Sequence, residues 1–347
     1  MGIKSLRFGL IGAGVAAETH AREMAYVEGG EIEAVYARDA DKAAGFASAF
    51  GIRKSFDELG VLLADPAIDA VIITTPNGLH LDPAIAAARA GKHVIIEKPL
   101  EISEVRAKAI VAACREAGVR LQVIYQRRHS NAAQQALRDI AAGKLGKLLL
   151  VNIVDNQFRP ARYYQKDAWR GTKSVEGGGC IITQATHLID LAQYLAGPIS
   201  AVYAHTGTAF HHIETEDVAV AVLEFANGAL GTLSASTAAF PGLRHLLTIC
   251  GTKGSIVLNG EFDQIVFRGL EGERVTQEVP NGFRFGDPID PRDYPTVGQR
   301  KQLQVIVHSL MSEDEADPPI EDALRSVRVV DAIYESSMHA RRVPISI

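Results

Sequence analysis

The fold is decided at residues 7–17, which read RFGLIGAGVAA. Arg7–Ile11 is a short apolar run typical of a buried strand, and a stretch with helical periodicity begins at Val15. Gly12, Gly14 and Ala17 fit the pattern G-x-G-x-x-A, a variant of the dinucleotide fingerprint. Gly12 permits the tight turn, and Gly14 lets a pyrophosphate approach the amides of the helix. The sequence therefore predicts a dinucleotide bound at Gly12, Ala13, Gly14, Val15 and Ala16.

The same rhythm of short apolar runs and helical stretches continues to about residue 125. Further strands are predicted at residues 32–37, 69–74, 92–96 and 120–125. Strands separated by helices of this length form a parallel, doubly wound α/β sheet. We therefore predict a Rossmann domain over residues 1–125. Within it, Ser55 and Glu58 have capping-box spacing, which predicts that a helix begins there.

Strands and turns dominate after residue 126. Asn227-Gly228 separates two β-branched runs and predicts a hairpin with a type I′ turn, which needs positive φ at both positions. Gly251–Gly254 predicts a second turn. Residues 126–320 are thus predicted to form an α+β domain with an open, mostly antiparallel sheet. Residues 321–342 read as a helix with one apolar face, predicted to pack back on the first domain.

Composition excludes several classes of protein. The 347 residues carry a formal charge of −5, which gives no electrostatic footprint for nucleic acid. No apolar run reaches the ~20 residues of a membrane helix, and the N-terminus shows no signal peptide. The three cysteines are far apart in the sequence, and His211-His212 reads as a polar strand edge. We expect a cytoplasmic protein with no metal site and no nucleic-acid or membrane partner.

The end of the second strand bears on the choice between NAD and NADP. An acidic residue there accepts hydrogen bonds from the adenosine ribose, whereas an arginine suits a 2′-phosphate. The segment reads Tyr36-Ala37-Arg38-Asp39, with Ala37 at the acidic position. Arg38 therefore favours NADP. The alternative is that Arg38 is a solvated turn residue and Asp39 caps the next helix.

Two later segments are predicted at the carboxyl edge of the same sheet, where ligands bind in open α/β folds. One contains Thr75, Pro76, Asn77 and His80, and the other contains Glu97, Lys98 and Pro99. We expect them to contact the cofactor. A lysine beside the cofactor can donate a hydrogen bond to a substrate hydroxyl or move its proton. The bond from Lys98 to Pro99 can be cis at modest cost.

Together these motifs resemble the glucose–fructose oxidoreductase/inositol dehydrogenase (Gfo/Idh/MocA) family. The resemblance continues along the chain to about residue 340, through Tyr163-Tyr164, Trp169-Arg170-Gly171, Gly177-Gly178-Gly179, His187, Asp190, Glu216-Asp217 and residues 225–228 and 251–255. It implies reversible hydride transfer between nicotinamide and a secondary alcohol of a sugar or polyol. It also implies a homodimer or homotetramer formed through the open face of the second sheet.

Site residues follow from the same resemblance. Lys98 matches the lysine that contacts the reacting hydroxyl, and His187 matches the acid/base histidine. The family often has Asp or Asn where this chain has Thr183, and threonine cannot supply a carboxylate's charge. We therefore hypothesise that His187 is the main base, that Lys98 polarises the oxygen and that Thr183 positions the substrate.

The remaining substrate-binding candidates are Tyr164, Trp169 and Arg170, which precede the glycine run. An aromatic face can stack on sugar C–H groups, and a guanidinium can bind hydroxyls or an acidic group. Arg127 and Arg128, after the last parallel strand, could do the same. The alternative for each arginine is an interdomain ion pair.

Two other functions stay open at this stage. One is a glycosidase assisted by redox chemistry, with tightly bound and recycled NAD. The other is a non-catalytic NADP-sensing regulatory protein.

Overall fold

A computed structural model describes residues 5–243, 245–259, 264–277, 295–312 and 319–347. The strands are β1 Leu6–Ile11, β2 Gly30–Tyr36, β3 Lys54–Phe56, β4 Ala70–Ile73, β5 His93–Glu97, β6 Leu121–Ile124, β7 Leu148–Asn156, β8 Ile199–Gly207, β9 Val218–Phe225, β10 Leu230–Ser236, β11 Leu246–Gly251, β12 Gly254–Asn259, β13 Gln264–Leu270, β14 Thr276–Gln277 and β15 Val343–Pro344. The α-helices are α1 Val15–Met24, α2 Ala40–Phe50, α3 Leu59–Ala64, α4 Leu81–Arg89, α5 Glu104–Glu116, α6 Asn131–Ala141, α7 Ala161–Gln165, α8 Thr186–Ala196, α9 Val297–Ser312 and α10 Ile320–His339.

The first of two compact units comprises the described residues up to Gln126 together with those of Thr296–Leu324. Its six-stranded sheet has the order β3-β2-β1-β4-β5-β6, and all its strand pairs are parallel. All four residues of β4 are buried, as expected for a parallel strand covered on both faces. The predicted doubly wound sheet is confirmed. The direction of winding changes at β1, which lies between β2 and β4, so a ligand crevice is expected at its carboxyl end.

The helix predicted to begin at Ser55 is wrong. Lys54–Phe56 is instead the edge strand β3, in register with Ala34–Tyr36 of β2. Helix α3 begins at Leu59, and Glu58 precedes it without a side-chain cap. The ladder hydrogen bonds with β2 outweigh the local capping preference. That preference is weak in comparison with strand pairing in the sheet.

The second unit comprises the described residues of Arg127–Pro295 and of Arg325–Ile347. Its nine-stranded sheet has the order β14-β13-β12-β11-β7-β10-β9-β8-β15. Among the described strands, β7 and β10 pair in parallel, and the other neighbours are antiparallel. The predicted α+β architecture is therefore confirmed.

The hairpin predicted at Asn227-Gly228 joins β9 to β10, but its turn is not type I′. Gly228 has a φ of +85°, whereas Asn227 is not among the residues with positive φ. Gly228 N donates to Phe225 O at 2.9 Å, and Phe225 N donates to Ala229 O at 2.9 Å. This is the longer loop in which a single left-handed glycine closes the hairpin.

Helix α9 completes the core of the first unit. Leu303, Ile306 and Val307 are buried in the same cluster as Phe8 of β1. Gln302 also donates a hydrogen bond to Val123 O at 2.9 Å.

Helix α10 belongs to the second unit from Arg325 onward. The hydroxyl oxygen of Ser336 accepts from Ala204 N of β8 at 2.9 Å, and that of Ser337 accepts from Thr206 N at 2.9 Å. The end of α10 is thus held to β8 within the second unit, and the packing of residues 321–342 on the first domain stays a prediction.

Candidate active site

The turn after β1 has the geometry of a dinucleotide cradle. Gly12 has a φ of +112°, and a Cβ on this residue would lie 2.7 Å from the Oγ1 atom of Thr74. Only glycine fits there without strain. Gly14 is the N-cap of α1 and makes no side-chain cap, and a Cβ on Gly14 would meet nothing within 4 Å. The first-turn amides of α1 are thus approachable, as a pyrophosphate requires.

The other residues predicted in this turn lie on the same segment. Ala13, Val15 and Ala16 are half-buried, whereas Ala17 is fully buried against the sheet. Small side chains therefore occupy the whole approach to the helix terminus.

The segment after β2 carries an exposed cation. Ala37 is buried and Arg38 is exposed. Asp39 is the N-cap of α2, and its carboxylate accepts from Lys42 N at 3.0 Å. The cap considered for Asp39 is therefore present, and its carboxylate is already engaged.

The predicted segments after β4 and β5 lie at the same edge of the sheet as Gly12, because all these strands are parallel. Thr75, Pro76 and Asn77 are half-buried. Lys98 is also half-buried, and its bond to Pro99 is cis. The first unit thus places Lys98 on the edge that carries the nucleotide turn.

His80 lies beneath this edge rather than on it. Its side chain is buried, with Nδ1 3.0 Å from Pro99 O and Nε2 2.9 Å from Thr75 O. Burial lowers the pKa of this imidazole. His80 therefore joins the two segments, and any part it has in cofactor binding acts through their positions.

Two further pairs of interacting side chains at this edge were missed by the sequence analysis. Arg106 of α5 binds the buried carboxylate of Glu101 at 2.7 Å and donates to Gly78 O at 2.8 Å. His20 of α1 places its Nε2 atom 2.8 Å from Glu97 Oε1. Burial opposes ionisation of Glu97, but the hydrogen bond with His20 and the charge of Lys98 lower its pKa. The signal for His20 was its spacing, three residues beyond Ala17 on the same helix face.

In the second unit, the segment from Gly178 to Ala192 exposes two of the predicted residues. Thr183 and His187 are half-buried, and every other residue of that segment is buried. Thr183 lies in the π-helical turn Ile181–Ala185, and His187 lies in the first turn of α8. Such π turns are frequent at functional sites. Two polar groups four residues apart are thus presented from an otherwise buried segment.

Glu216 holds the glycine run that starts this segment. Its carboxylate accepts from Gly179 N at 2.8 Å, from Ile181 N at 2.9 Å and from the Tyr334 hydroxyl at 3.0 Å. A Cβ on Gly179 would overlap Glu216 O, and one on Gly178 would overlap the Tyr334 hydroxyl. Burial raises the pKa of Glu216. The glycines are needed because the backbone passes directly against these two residues.

Glu176 is a second buried carboxylate beside the segment. It accepts from Gly171 N through Oε2 and from the Thr183 hydroxyl through Oε1, the latter at 3.3 Å. Burial raises its pKa. Sequence analysis did not single out this residue, since a glutamate before a glycine run carries no motif of its own.

The predicted aromatic segment is packed into one cluster. Tyr164 shares a hydrogen bond of 2.8 Å with the hydroxyl of Thr237. The guanidinium of Arg170 lies 4.5 Å from the Trp169 ring and donates to Asp167 at 3.0 Å. Arg170 is therefore held in place by both a ring and a carboxylate.

The two arginines after β6 have different surroundings. Arg128 is buried and binds Asp190 of α8 at 2.6 Å, which is an ion pair within the second unit and not the interdomain pair considered for it. Arg127 is half-buried and donates to Nδ1 of His245 at 3.3 Å. Burial lowers the pKa of His245 to about 4. Arg127 thus lies against a neutral imidazole.

Among the described residues, no three His, Cys, Asp or Glu side chains are grouped so that they could hold a metal ion. His211 is buried, with Nε2 3.3 Å from Thr237 O, and His212 is exposed.

None of the helices in the described parts of the chain has the length and apolarity needed to cross a membrane.

Comparison with known families covers most of the chain. Residues 6–125 match the family described as oxidoreductase family, NAD-binding Rossmann fold. Residues 133–257 match the GFO/IDH/MocA C-terminal domain.

Individual proteins match along nearly their whole length. The levoglucosan dehydrogenase of Pseudarthrobacter phenanthrenivorans is 29% identical, over 96% of this chain and 97% of that protein. The 2,7-anhydro-N-acetylneuraminate hydratase of Escherichia coli is 30% identical, over 98% of this chain and 97% of that protein. Among solved structures, the WlbA dehydrogenase from Bordetella pertussis in complex with NADH and UDP-GlcNAcA has a TM-score of 0.84 and 30% identity, covering 99% of both chains.

Proposed function

The chain belongs to the Gfo/Idh/MocA family of oxidoreductases, and on that premise we propose that it transfers a hydride between NADP, or NAD, and a secondary alcohol or ketone of a sugar, glycoside or inositol. The observation that carries this proposal is the position of Lys98. It follows β5 at the same sheet edge as the glycine turn after β1. A bound nicotinamide would supply the hydride acceptor or donor, so a proton-handling group is needed beside it.

The chain's own residues divide the work as follows. Oxidation of an alcohol releases a proton from the hydroxyl together with the hydride from carbon. His187 accepts that proton, Lys98 polarises the hydroxyl oxygen and Thr183 positions the substrate. This is supported by the exposure of Thr183 and His187 from an otherwise buried segment.

The rest of the substrate site comes from the aromatic cluster and Arg127. Tyr164 and Trp169 offer faces on which sugar C–H groups can stack. Arg170 and Arg127 supply cations for hydroxyls or for an acidic substituent. The fixed geometry of Arg170 against Trp169 and Asp167 supports a role in orienting the substrate.

For the cofactor, we propose NADP as the preferred dinucleotide. Arg38 is exposed directly after β2, where a 2′-phosphate would lie. Asp39 is the nearest acidic side chain in sequence, and its carboxylate caps α2. This supports a site that lacks the usual acceptor for a ribose 2′-hydroxyl.

The test is a screen of sugars, sugar acids, glycosides and inositols with both cofactors, read at 340 nm. We expect absorbance to change with at least one member of the panel. Lys98→Ala and His187→Ala should each lower kcat by about a hundredfold or more, and His187→Ala should leave NADPH binding unchanged. His212→Ala, which alters an exposed histidine of the same unit, is the matched control. Near-normal kcat in His187→Ala together with loss in Lys98→Ala would reverse the two roles.

The likeness to a hydratase favours one second candidate, in which the hydride is returned to the product and the cofactor is recycled. Transient oxidation beside a glycosidic carbon makes the neighbouring C–H acidic and allows elimination. In that case product would accumulate without a matching change at 340 nm. One NAD(P)H formed per product excludes it.

We also propose a homodimer or homotetramer formed through the open face of the second sheet. On that face Leu150 lies opposite Leu230, and Val222 lies opposite Tyr203. All four side chains are exposed, which makes an apolar patch of the kind that marks interfaces. Val222→Lys should reduce the mass seen by light scattering.

We place the protein in the cytoplasm, where its cofactor is available and its three free cysteines stay reduced.

A further inference from the structure

The hydroxyl of Thr183 can act either as a hydrogen-bond donor or as an acceptor towards a substrate. A threonine hydroxyl has one hydrogen and two lone pairs. Which role it takes depends on where that hydrogen points. In the structure, Oγ1 of Thr183 donates to Oε1 of Glu176 at 3.3 Å.

The direction of that bond depends on the surroundings and ionisation of Glu176. Glu176 is 2% exposed, and its other oxygen accepts from Gly171 N. A backbone amide can only donate, so Oε2 must be an acceptor. Burial raises the pKa of Glu176, and the Gly171 amide, the positive charge of Arg170 and the Thr183 hydroxyl offset part of that rise. At a pH at which Glu176 is ionised, both of its oxygens accept, so the hydrogen of Thr183 is committed to Glu176.

We propose that Glu176 is a positioning residue that makes Thr183 an obligatory hydrogen-bond acceptor for a hydroxyl of the substrate. Glu176 thereby provides through Thr183 the acceptor that a carboxylate at position 183 would provide directly. The inference rests on the proposed function, because it assumes a substrate that carries hydroxyl groups. It adds that one of those hydroxyls is bound as a donor.

Replacement of Glu176 by glutamine reverses the polarity of this arrangement. The Gly171 amide still needs an acceptor, so the amide oxygen of the new side chain faces Gly171 and its NH2 group faces Thr183. That group donates to Oγ1, and the threonine hydrogen must turn away, towards the substrate. A substrate hydroxyl then meets a donor with its own hydrogen unsatisfied.

We expect Glu176→Gln to raise KM for the sugar about tenfold to a hundredfold. The dissociation constant for NADPH should not change, and kcat should change little, since Glu176 does not touch the reacting atoms. Glu214→Gln is the matched control, because Glu214 is exposed, lies on the neighbouring loop and also accepts from a backbone amide, that of Lys173 at 2.9 Å.

A second substitution tests the direction in which KM changes. In the Glu176→Gln background, Thr183→Asp restores an acceptor, because the glutamine amide donates to one carboxylate oxygen and leaves the other for the substrate. With Glu176 present, the same Thr183→Asp change sets two carboxylates side by side, which disfavours ionisation of both. Thr183→Asp should therefore lower KM in the first background and raise it in the second.

The possible outcomes distinguish a failure of the proposed function from a failure of the inference about Glu176. A wild-type protein that turns over no member of the sugar panel overturns the proposed function and this inference with it. Wild-type turnover, with Glu176→Gln equal to Glu214→Gln or with Thr183→Asp acting alike in both backgrounds, overturns the inference alone. Should Glu176→Gln fail to fold, Thr183→Ser and Thr183→Val replace it. Serine keeps the acceptor and valine removes it, so equal KM values for these two variants overturn the inference.

Discussion

Gly14→Ser should change stability and cofactor binding in opposite directions. Gly14 is the N-cap of α1, with extended backbone at φ −106° and ψ −171°, and a Cβ there would meet nothing within 4 Å. A serine fits this backbone, and its hydroxyl can accept from a first-turn amide. Replacing glycine by serine at an N-cap gains about 0.3 kcal/mol, which amounts to a rise of about 1 °C in Tm.

The same hydroxyl occupies the approach and one of the donors that a pyrophosphate would use. A hydrogen bond to a charged group contributes about 1.5–3 kcal/mol. We therefore expect the Kd for NADPH to rise about tenfold to a hundredfold. Titration calorimetry measures the Kd, and thermal melting of the free protein measures the stability.

Gly12→Ser provides the contrast on the same turn. At a φ of +112°, a serine costs about 1–3 kcal/mol in backbone strain, and its Cβ meets Thr74. This variant should lose both stability and binding. If Gly14→Ser bound NADPH as tightly as the wild type, the pyrophosphate would not lie on these amides, and the cradle assigned to this turn would be refuted.

Other consequences can be checked with single variants. Arg38→Ala should weaken NADPH binding about tenfold and leave NADH binding unchanged; equal effects on both would refute the preference for NADP. Asp190→Asn should cost about 3–5 kcal/mol in chemical denaturation because it leaves Arg128 buried without its carboxylate, and Arg128→Met combined with Asp190→Leu should recover most of that loss. His245 has its pKa lowered to about 4, below that of the unfolded chain, so its contribution to stability is complete above pH ~6.5 and is lost as the pH falls towards 4, by about 3 kcal/mol. Melting curves of His245→Gln across this range should lack that part of the pH dependence.

The parallel sheet was predictable because its signals are strong and local. β4 is a continuous apolar run, and the turn after β1 combines two glycines at fixed spacing. β3 was missed because three residues carry almost no periodicity, and their pairing with β2 is a property of the sheet. The packing of α9 on the parallel sheet was likewise not readable, since an amphipathic stripe shows that a face is buried but not against what.

For the site, the family resemblance pointed to Thr183 and His187 but not to the groups that hold their segment. Glu216 and Tyr334 contact that segment from distant parts of the sequence, and Glu176 precedes it without a motif of its own. No local pattern links a glutamate at 216 to a tyrosine at 334. These contacts can be recognised only in the folded structure, in which the backbone at Gly179 lies directly against Glu216.

The closure of the parallel sheet by α9 has a consequence for biosynthesis. The core around Phe8 and Ile124 includes Leu303, Ile306 and Val307, which are translated after nearly all of the second unit. During translation the nucleotide-binding half therefore keeps one apolar surface uncovered until the ribosome has passed residue 307. Exposed apolar surfaces on incompletely folded chains are prone to aggregation. A chaperone that shields nascent chains should matter more to this protein than to one whose nucleotide-binding half is continuous in sequence.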